Sequence, residues 1–210
     1  DVPMEQISKG NGGSCVLSAY SSSVINLSNH LTTSLGITAQ YFTLNKNWTI
    51  EPRAALKWSF NPKHALALAY GLHSRREKLD YYFVEQEANG KTESNRYLDF
   101  SKAHHFGLTY DWNINSYMHL KVEPYYQYLF RIPVEENSSF SIINHQSFYL
   151  DRILKNRGSG VNYGIDITLE QYMKNGFYYM ITASLFKSKY KAGDNIWRNT
   201  RLDKNYLLNI

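Results

Sequence analysis

Apolar and polar side chains alternate with a period of two through most of this chain. From Leu31 to Tyr41 one face carries Leu31, Thr33, Leu35, Ile37, Ala39 and Tyr41, and the other Thr32, Ser34, Gly36, Thr38 and Gln40. That period belongs to a strand whose two faces meet different surroundings. The next segment sets Ile50, Pro52, Ala54, Leu56, Trp58 and Phe60 against Glu51, Arg53, Ala55, Lys57 and Ser59. Leu66, Leu68, Tyr70 and Leu72 oppose Ala65, Ala67, Ala69, Gly71 and His73, and the clearest case sets Val161, Tyr163, Ile165, Ile167 and Leu169 against Asn162, Gly164, Asp166, Thr168 and Glu170. The alternation predicts nine strands, near 15–27, 31–42, 48–60, 64–75, 102–113, 118–129, 159–171, 177–188 and 202–210. Most are as long as the ~9–11 residues that a tilted strand needs to cross a bilayer. No segment suits an amphipathic helix better.

Connection lengths add an orientation. Asn29-His30, Asn61-Pro62-Lys63, Asn113 to Tyr117 and Met173 to Gly176 are tight, turn-forming connections. Between them come two long loops, 76–101 and 131–158, a medium one from Lys189 to Arg201, and a short one from Thr43 to Asn47. Outer-membrane barrels alternate short periplasmic turns with longer external loops in this way. Trp58, Phe60, Trp112, Tyr172 and Phe177 sit beside the short turns, while Tyr41, Tyr128 and Tyr190 mark the opposite ends, as two interfacial aromatic belts require.

Composition removes several other classes. A mean hydropathy of −0.48 resembles that of a soluble protein, but alternating strands average out to polar. No apolar run approaches the ~20 residues of a membrane-spanning helix. The 18 Tyr, 10 Phe and 4 Trp suit strands and interfaces, and Cys15, as the single cysteine, excludes an internal disulfide. A net charge of +5 is spread over turns and both strand faces without a basic stripe, so nucleic acid is not an expected partner. The opening Asp1-Val2-Pro3-Met4-Glu5 lacks the order of a secretory signal. An odd number of strands leaves the two ends on opposite sides of a membrane, so the expectation is a section of a longer barrel that extends beyond both termini.

Particular residues carry a family resemblance. Ile50-Glu51-Pro52-Arg53, Trp58, Asn61 and the strand end Ala69-Tyr70-Gly71-Leu72-His73-Ser74 resemble the barrel of TonB-dependent outer-membrane receptors of the Bacteroidetes type. So do Ser138-Ser139-Phe140-Ser141, Leu154 to Gly160 with Asn162-Tyr163-Gly164, Ser184-Leu185-Phe186, Ser188-Lys189-Tyr190 and Trp197-Arg198-Asn199-Thr200 with Asn205-Tyr206, in that order. The resemblance covers the chain from about Leu31 onward. It implies the C-terminal part of an all-β, antiparallel up-and-down transmembrane barrel of about 22 strands with a plugged lumen, in the bacterial outer membrane. It further implies uptake of a scarce small nutrient (an iron chelate, vitamin or glycan) with energy relayed by the TonB complex. No plug or TonB box is found in the sequence to assign.

Candidate chemistry is sparse. His104 and His105 are adjacent in a strand and point to opposite faces, so they make a poor chelating pair. The inward charges Glu51, Arg53, Lys57, Asp111, Lys121, Glu123, Asp166 and Glu170 suit a polar lumen, paired across strands or against a plug, and no nucleophile-base set accompanies them. Arg157-Gly158-Ser159-Gly160 lacks phosphate-loop spacing and reads as a flexible start to a strand. The expectation is therefore no enzyme, no cofactor and no metal. Ligand contacts are sought in the external loops, where Tyr81, Tyr82 and Phe83 offer aromatic faces and Trp197 and Arg198 an aromatic face and a bidentate donor; alternatively these rings pack the loops against each other. Arg75, Arg76, Lys187 and Lys189 near the outer rim are placed to meet lipopolysaccharide phosphates among the outer-membrane lipids. Two other readings stay open: a passive or adhesive barrel without a plug, and a soluble all-β carbohydrate-binding module.

Overall fold

Asparagine builds the short turns. In the computed structural model, which describes residues 13–88, 90–147 and 149–210, Asn61 Oδ1 accepts the backbone N–H groups of Lys63 (2.9 Å) and His64 (3.0 Å). Asn115 Oδ1 does the same for Tyr117 (2.9 Å) and Met118 (3.1 Å). Asn175 and Gly176 supply consecutive positive φ angles of 51° and 82°, the backbone of a hairpin turn that matches strand twist. Residues 1–12 lie outside the described residues.

These turns join β1 (Val16–Ser28) to β2 (Leu31–Phe42), β3 (Asn47–Asn61) to β4 (His64–Arg75), β7 (Ser101–Asn115) to β8 (Met118–Val134) and β9 (Lys155–Lys174) to β10 (Phe177–Lys191). β5 (Glu85–Ala88) and β6 (Lys91–Ser94) form a separate small hairpin, and β11 (Trp197–Asn199) and β12 (Tyr206–Asn209) both pair with β10. The main sheet has ten strands in the order β1-β2-β3-β4-β7-β8-β9-β10-β11, with β12 beside β11 on the same edge. Every neighbouring pair is antiparallel. Among the described residues nothing pairs β1 with the far edge, so the sheet is an open section of wall.

The register gives the wall its tilt. A row of directly opposed residues runs Leu31, Trp58, Leu66, Tyr110, Val122, Ile167, Ala183. Leu31 is the first residue of β2, Leu66 the third of β4, Val122 the fifth of β8 and Ala183 the seventh of β10. The row thus climbs two residues per hairpin away from the short turns. One residue of rise per strand, ~3.4 Å against a strand spacing of ~4.8 Å, inclines the strands by roughly 35°, within the range of closed transmembrane barrels.

Each face behaves as the alternation predicts. On the convex face Leu68 is 59% and Leu185 57% exposed, because no protein layer covers them; in a bilayer the acyl chains do. The concave face carries the polar set, with His119 on Asp111 at 3.0 Å and Lys121 on Glu123 at 2.8 Å. One inward carboxylate is structural. The β3–β4 ladder ends at Arg53 and Gly71, and above it Glu51, only 2% exposed, accepts from Ser74 N–H (3.1 Å), Gln40 Nε2 (2.7 Å) and Arg53 (3.0 Å).

At the long-loop end the strands outrun their alternating segments. β8 continues to Val134 and β9 begins at Lys155, so both ends of the expected 131–158 loop are strand. The 20 residues of β9 far exceed the ~9–11 that cross a bilayer. Gly158 belongs to this extension and is no flexible start: a Cβ there would stand 2.4 Å from Val134 Cγ1 and 2.9 Å from the Ile132 carbonyl oxygen. The expected last strand, 202–210, is also revised. β11 and β12 are two pieces of one strand, interrupted where Asn205 turns with a φ of 67° and Asp203 caps Ser188 N–H at 3.3 Å.

The loops fold on each other. Residues 76–100 contain 3-10 turns η1 (Leu79–Phe83) and η2 (Asn95–Tyr97), and residues 135–154 contain η3 (Ile142–Asn144). Phe42, Tyr81, Tyr82, Val84, Leu98, Phe100, Ile132, Ile142, Leu150 and Leu154 form one buried cluster between them. Tyr82 is its centre, edge-on to Phe42 at 5.2 Å. Asn95 ties the loops together through its amide to Arg152 O (2.8 Å) and from Leu154 N–H (2.7 Å).

Two outcomes test this account. Glu51→Ala leaves the buried Ser74 N–H unpaired and is expected to cost about 1–3 kcal/mol, read as a lower urea midpoint of the membrane-folded protein with faster amide exchange at Ser74; an unchanged midpoint would remove Glu51 from this role. Tyr82→Ala empties the centre of the loop cluster at a cost of about 3–5 kcal/mol, seen as rapid proteolysis within 76–100 and 135–154 while the ladders keep their exchange protection, whereas Tyr82→Phe keeps the ring in place and loses only the hydroxyl that holds the buried Glu77 N–H, a smaller cost of about 1–3 kcal/mol.

Candidate functional site

A cavity of about 1000 Å³ lies between the loop cluster and the concave face of the wall. β4 brings His73 and Arg75 to it, β7 brings His105, and β8 supplies Leu129 and Ile132 as an apolar floor. Arg76, Glu77, Lys78 and Tyr81 enter from the first long loop, and Ile142, Ile143 and His145 from the second. Strand alternation accounts for the wall side: His73, Arg75 and His105 share the inward parity of Gly71 and Gly107.

Glu77 organises the cationic side. Its carboxylate, 4% exposed, accepts from Ser101 Oγ at 2.6 Å and meets Arg75 at 3.5 Å. Its carbonyl accepts from Arg76 at 3.1 Å, and its N–H donates to the Tyr82 hydroxyl at 3.2 Å. Burial pushes the Tyr82 phenol up to about 12, so it remains neutral and can hold that N–H throughout the physiological range. Arg76 stacks over Phe42 with its guanidinium carbon 5.8 Å from the ring centre, and the Arg75 side chain stays 72% exposed. Arg75, Arg76, Lys78 and Lys102 thus line the cavity together with the one carboxylate of Glu77.

Three imidazoles complete the lining. The rings of His73 and His105 lie 4.5 Å apart, and neither makes a hydrogen bond among the described residues. His145 is held edge-on between Tyr81 (5.7 Å) and Phe140 (5.4 Å), with a ring nitrogen 3.1 Å from Tyr149 O. Among the described residues no three His, Cys, Asp or Glu side chains gather around one point. The arrangement is a cationic, imidazole-rich cavity with apolar walls, suited to binding.

The structure separates the residues singled out from the sequence. Tyr81, Tyr82 and Phe83 occupy η1, where Tyr81 lines the cavity and Tyr82 is consumed by the loop cluster. Trp197 and Arg198 lie in β11 at the far edge of the sheet, with Arg198 spent on a two-pronged pair with Asp194 (2.9 and 2.6 Å) and Trp197 stacked by Lys191. Arg75 and Arg76, expected at the lipid rim, face the cavity instead, and Lys187 is engaged by Asn205. His104 and His105 do diverge: His104 bonds the Tyr70 hydroxyl at 3.0 Å on the convex face. The cavity set of His73, Arg75 and His105 escaped sequence reading because it depends on the pairing of β4 with β7. Shared inward parity was its only signal.

No protein-family model and no curated protein matches the sequence. Solved structures do. The chain is similar to the ferric-catecholate import receptor Fiu of E. coli K12 in its closed form, with a TM-score of 0.68 at 9% identity over 93% of this chain and 31% of that one. It is similar to the FrpB iron transporter of Neisseria meningitidis in its apoprotein form, with a TM-score of 0.62 at 12% identity over 86% and 27%. It is also similar to the RagAB peptide importer, with a TM-score of 0.62 at 13% identity over 84% and 22%. The chain spans about a third or less of the length of the structures it matches, and at these identities the likeness is one of fold: an antiparallel up-and-down section of β-barrel wall.

Proposed function

We propose that this chain belongs to a TonB-dependent receptor of the bacterial outer membrane, a non-enzymatic importer of a scarce small nutrient. The carrying observation is the placement of the cavity. It lies on the concave side, at the long-loop end, between a rigid wall and loops that pack into a core of their own. A ligand arriving from outside meets a preformed, cationic pocket at the mouth of the lumen. The fold likeness to two iron importers and a peptide importer supports the reading. Among iron chelates, vitamins and glycans, the lining favours a ligand with anionic oxygens and an apolar body, because Arg75 and Arg76 offer paired donors above the Leu129 and Ile132 floor. The partners on this reading are a plug within the lumen, the TonB complex, and lipid with lipopolysaccharide outside. The Bacteroidetes affiliation rests on the sequence resemblance.

The full-length receptor in a strain deleted for its gene tests this. Uptake of a panel of ferric chelates, cobalamins and oligosaccharides should show one saturable substrate, and transport should stop when TonB is removed or the proton gradient is collapsed. Arg75→Ala with Arg76→Ala should weaken binding of that substrate at least about tenfold while the barrel keeps its heat-modifiable gel mobility. Uptake that is non-saturable and indifferent to TonB would make the chain a passive barrel instead.

A further inference from the structure

A second cavity, of about 520 Å³, opens on the convex side between the upper ends of β3 and β7. It exists because β3 parts from β4 above the Arg53–Gly71 pair, which leaves Trp48 and Ile50 on one flank and Lys102 on the other. Lys102 has the outward parity of His104 and Phe106, opposite Phe130. Its ammonium makes no hydrogen bond or ion pair among the described residues. Arg131 lies beside it at a bulge with a φ of 54°, holding Asp99 at 2.6 Å. Asp99 is thereby neutralised, and the notch keeps a formal surplus of one positive charge.

The depth of this notch is fixed by two internal rulers. Trp48 and Trp58 stand ten residues apart on the convex face of β3, and Lys102 and Trp112 ten apart on the same face of β7. At ~3.4 Å per residue and a tilt of roughly 35°, each pair spans about 28 Å along the membrane normal, close to the ~25–30 Å of a hydrocarbon layer. Trp58 and Trp112 lie near the short turns in an aromatic group with Phe60 and His64. Trp48 and Lys102 therefore mark the opposite interface, at the level of the outer headgroups. The upper aromatic stack of His104, Phe130 and Tyr128 sits beside them. Lys102 borders the inner cavity as well, but an ammonium of outward strand parity next to an exposed tryptophan, at the outer interface, has the chemistry of a headgroup site.

We propose that this notch binds the phosphate of an outer-leaflet lipid headgroup, with Lys102 as its ion-pair partner, the free face of Arg131 as a second donor and Trp48 against the glycolipid or upper acyl region. The proposal rests on the outer-membrane reading above, but on neither the nutrient cavity nor TonB. It also moves the lipid-phosphate contact away from Arg75, Arg76 and Lys187.

The test uses the full-length receptor reconstituted in vesicles of a neutral, phosphate-free galactolipid, with or without lipid A. Flotation first establishes insertion; a receptor that fails to float with the vesicles sinks the membrane reading itself, before the notch is probed. In inserted protein, acylation of Lys102 by an amine-reactive ester, mapped by peptide mass, should fall about fivefold when lipid A is present, while lumenal Lys57 is unaffected. Lys102→Gln should lower the lipid A retained through purification by a similar factor, and Lys102→Arg should restore it. Equal protection in galactolipid alone would mean mere coverage by lipid and overturn the proposal. Protection by inorganic phosphate in detergent would assign a soluble anion and overturn it equally, as would unchanged lipid A retention in Lys102→Gln.

Discussion

In the interior of a bilayer a backbone amide has no water to turn to, so each N–H and C=O at that depth must be satisfied by the next strand. The rest of this molecule follows from that requirement. It demands ladders from strand to strand, and these run from β1 to the β11–β12 edge. Because lipid lies on one side and a polar lumen on the other, every ladder must also alternate its side chains. The stagger of two residues per hairpin then inclines the strands as a closed wall needs. Where β3 and β4 part, a side chain stands in for the missing backbone partner: Glu51 accepts from Ser74 N–H inside the wall.

Beyond the bilayer the requirement relaxes, and the chain uses that freedom to build a roof. β8 and β9 continue upward, locked by the close approach at Gly158, and their extension is braced by Glu136 with Lys155 (2.5 Å) and Arg157 (2.7 Å). The connection after β10 closes onto this brace at Gly193, where a Cβ would lie 2.0 Å from Glu135 O. Against this support the two long loops bury Tyr82, Phe100 and Leu154 as a domain would bury its core. A binding cavity between two rigid bodies loses little entropy on capture, which floppy external loops would not offer.

How much of this was legible depended on whether a property is local. Alternation of single strands, such as Leu31 to Tyr41, revealed both faces and hence the architecture; the spacing of Trp48 from Trp58 was equally open to reading. Register was not. The pairing of Gly71 with His105 sets His73 beside it, and nothing in either strand alone announces that meeting. Packing of Tyr81-Tyr82-Phe83 between the loops was open to reading as the alternative to a ligand face, but its partners were not, because those of Tyr82 come from Phe42 and from residues far along the chain. The strand extensions at 130–134 and 155–158 were missed because the loops bury Ile132, Pro133, Val134 and Gly158 in succession, so the alternation that betrays a membrane strand disappears there.

Parity also explains how one short stretch of the rim serves two surfaces. Arg75 and Lys102 belong to neighbouring strands at almost the same height, Arg75 opposite Ser101 and Lys102 opposite Ser74. By parity one points to the cavity and the other to the lipid side, separated by a single step of the backbone. A slip of one residue between β4 and β7 would invert the faces of one strand relative to the other, turning either Arg75 or His105 outward, so the pairing that satisfies the backbone also assigns each cation to its side. The apolar convex residues Leu66, Leu68 and Leu108 enforce that register along the whole strand, since a slip would expose them to the lumen. Lipid packing below thus fixes which charges face the cavity above, and the cavity's chemistry is inherited from the membrane-spanning ladder.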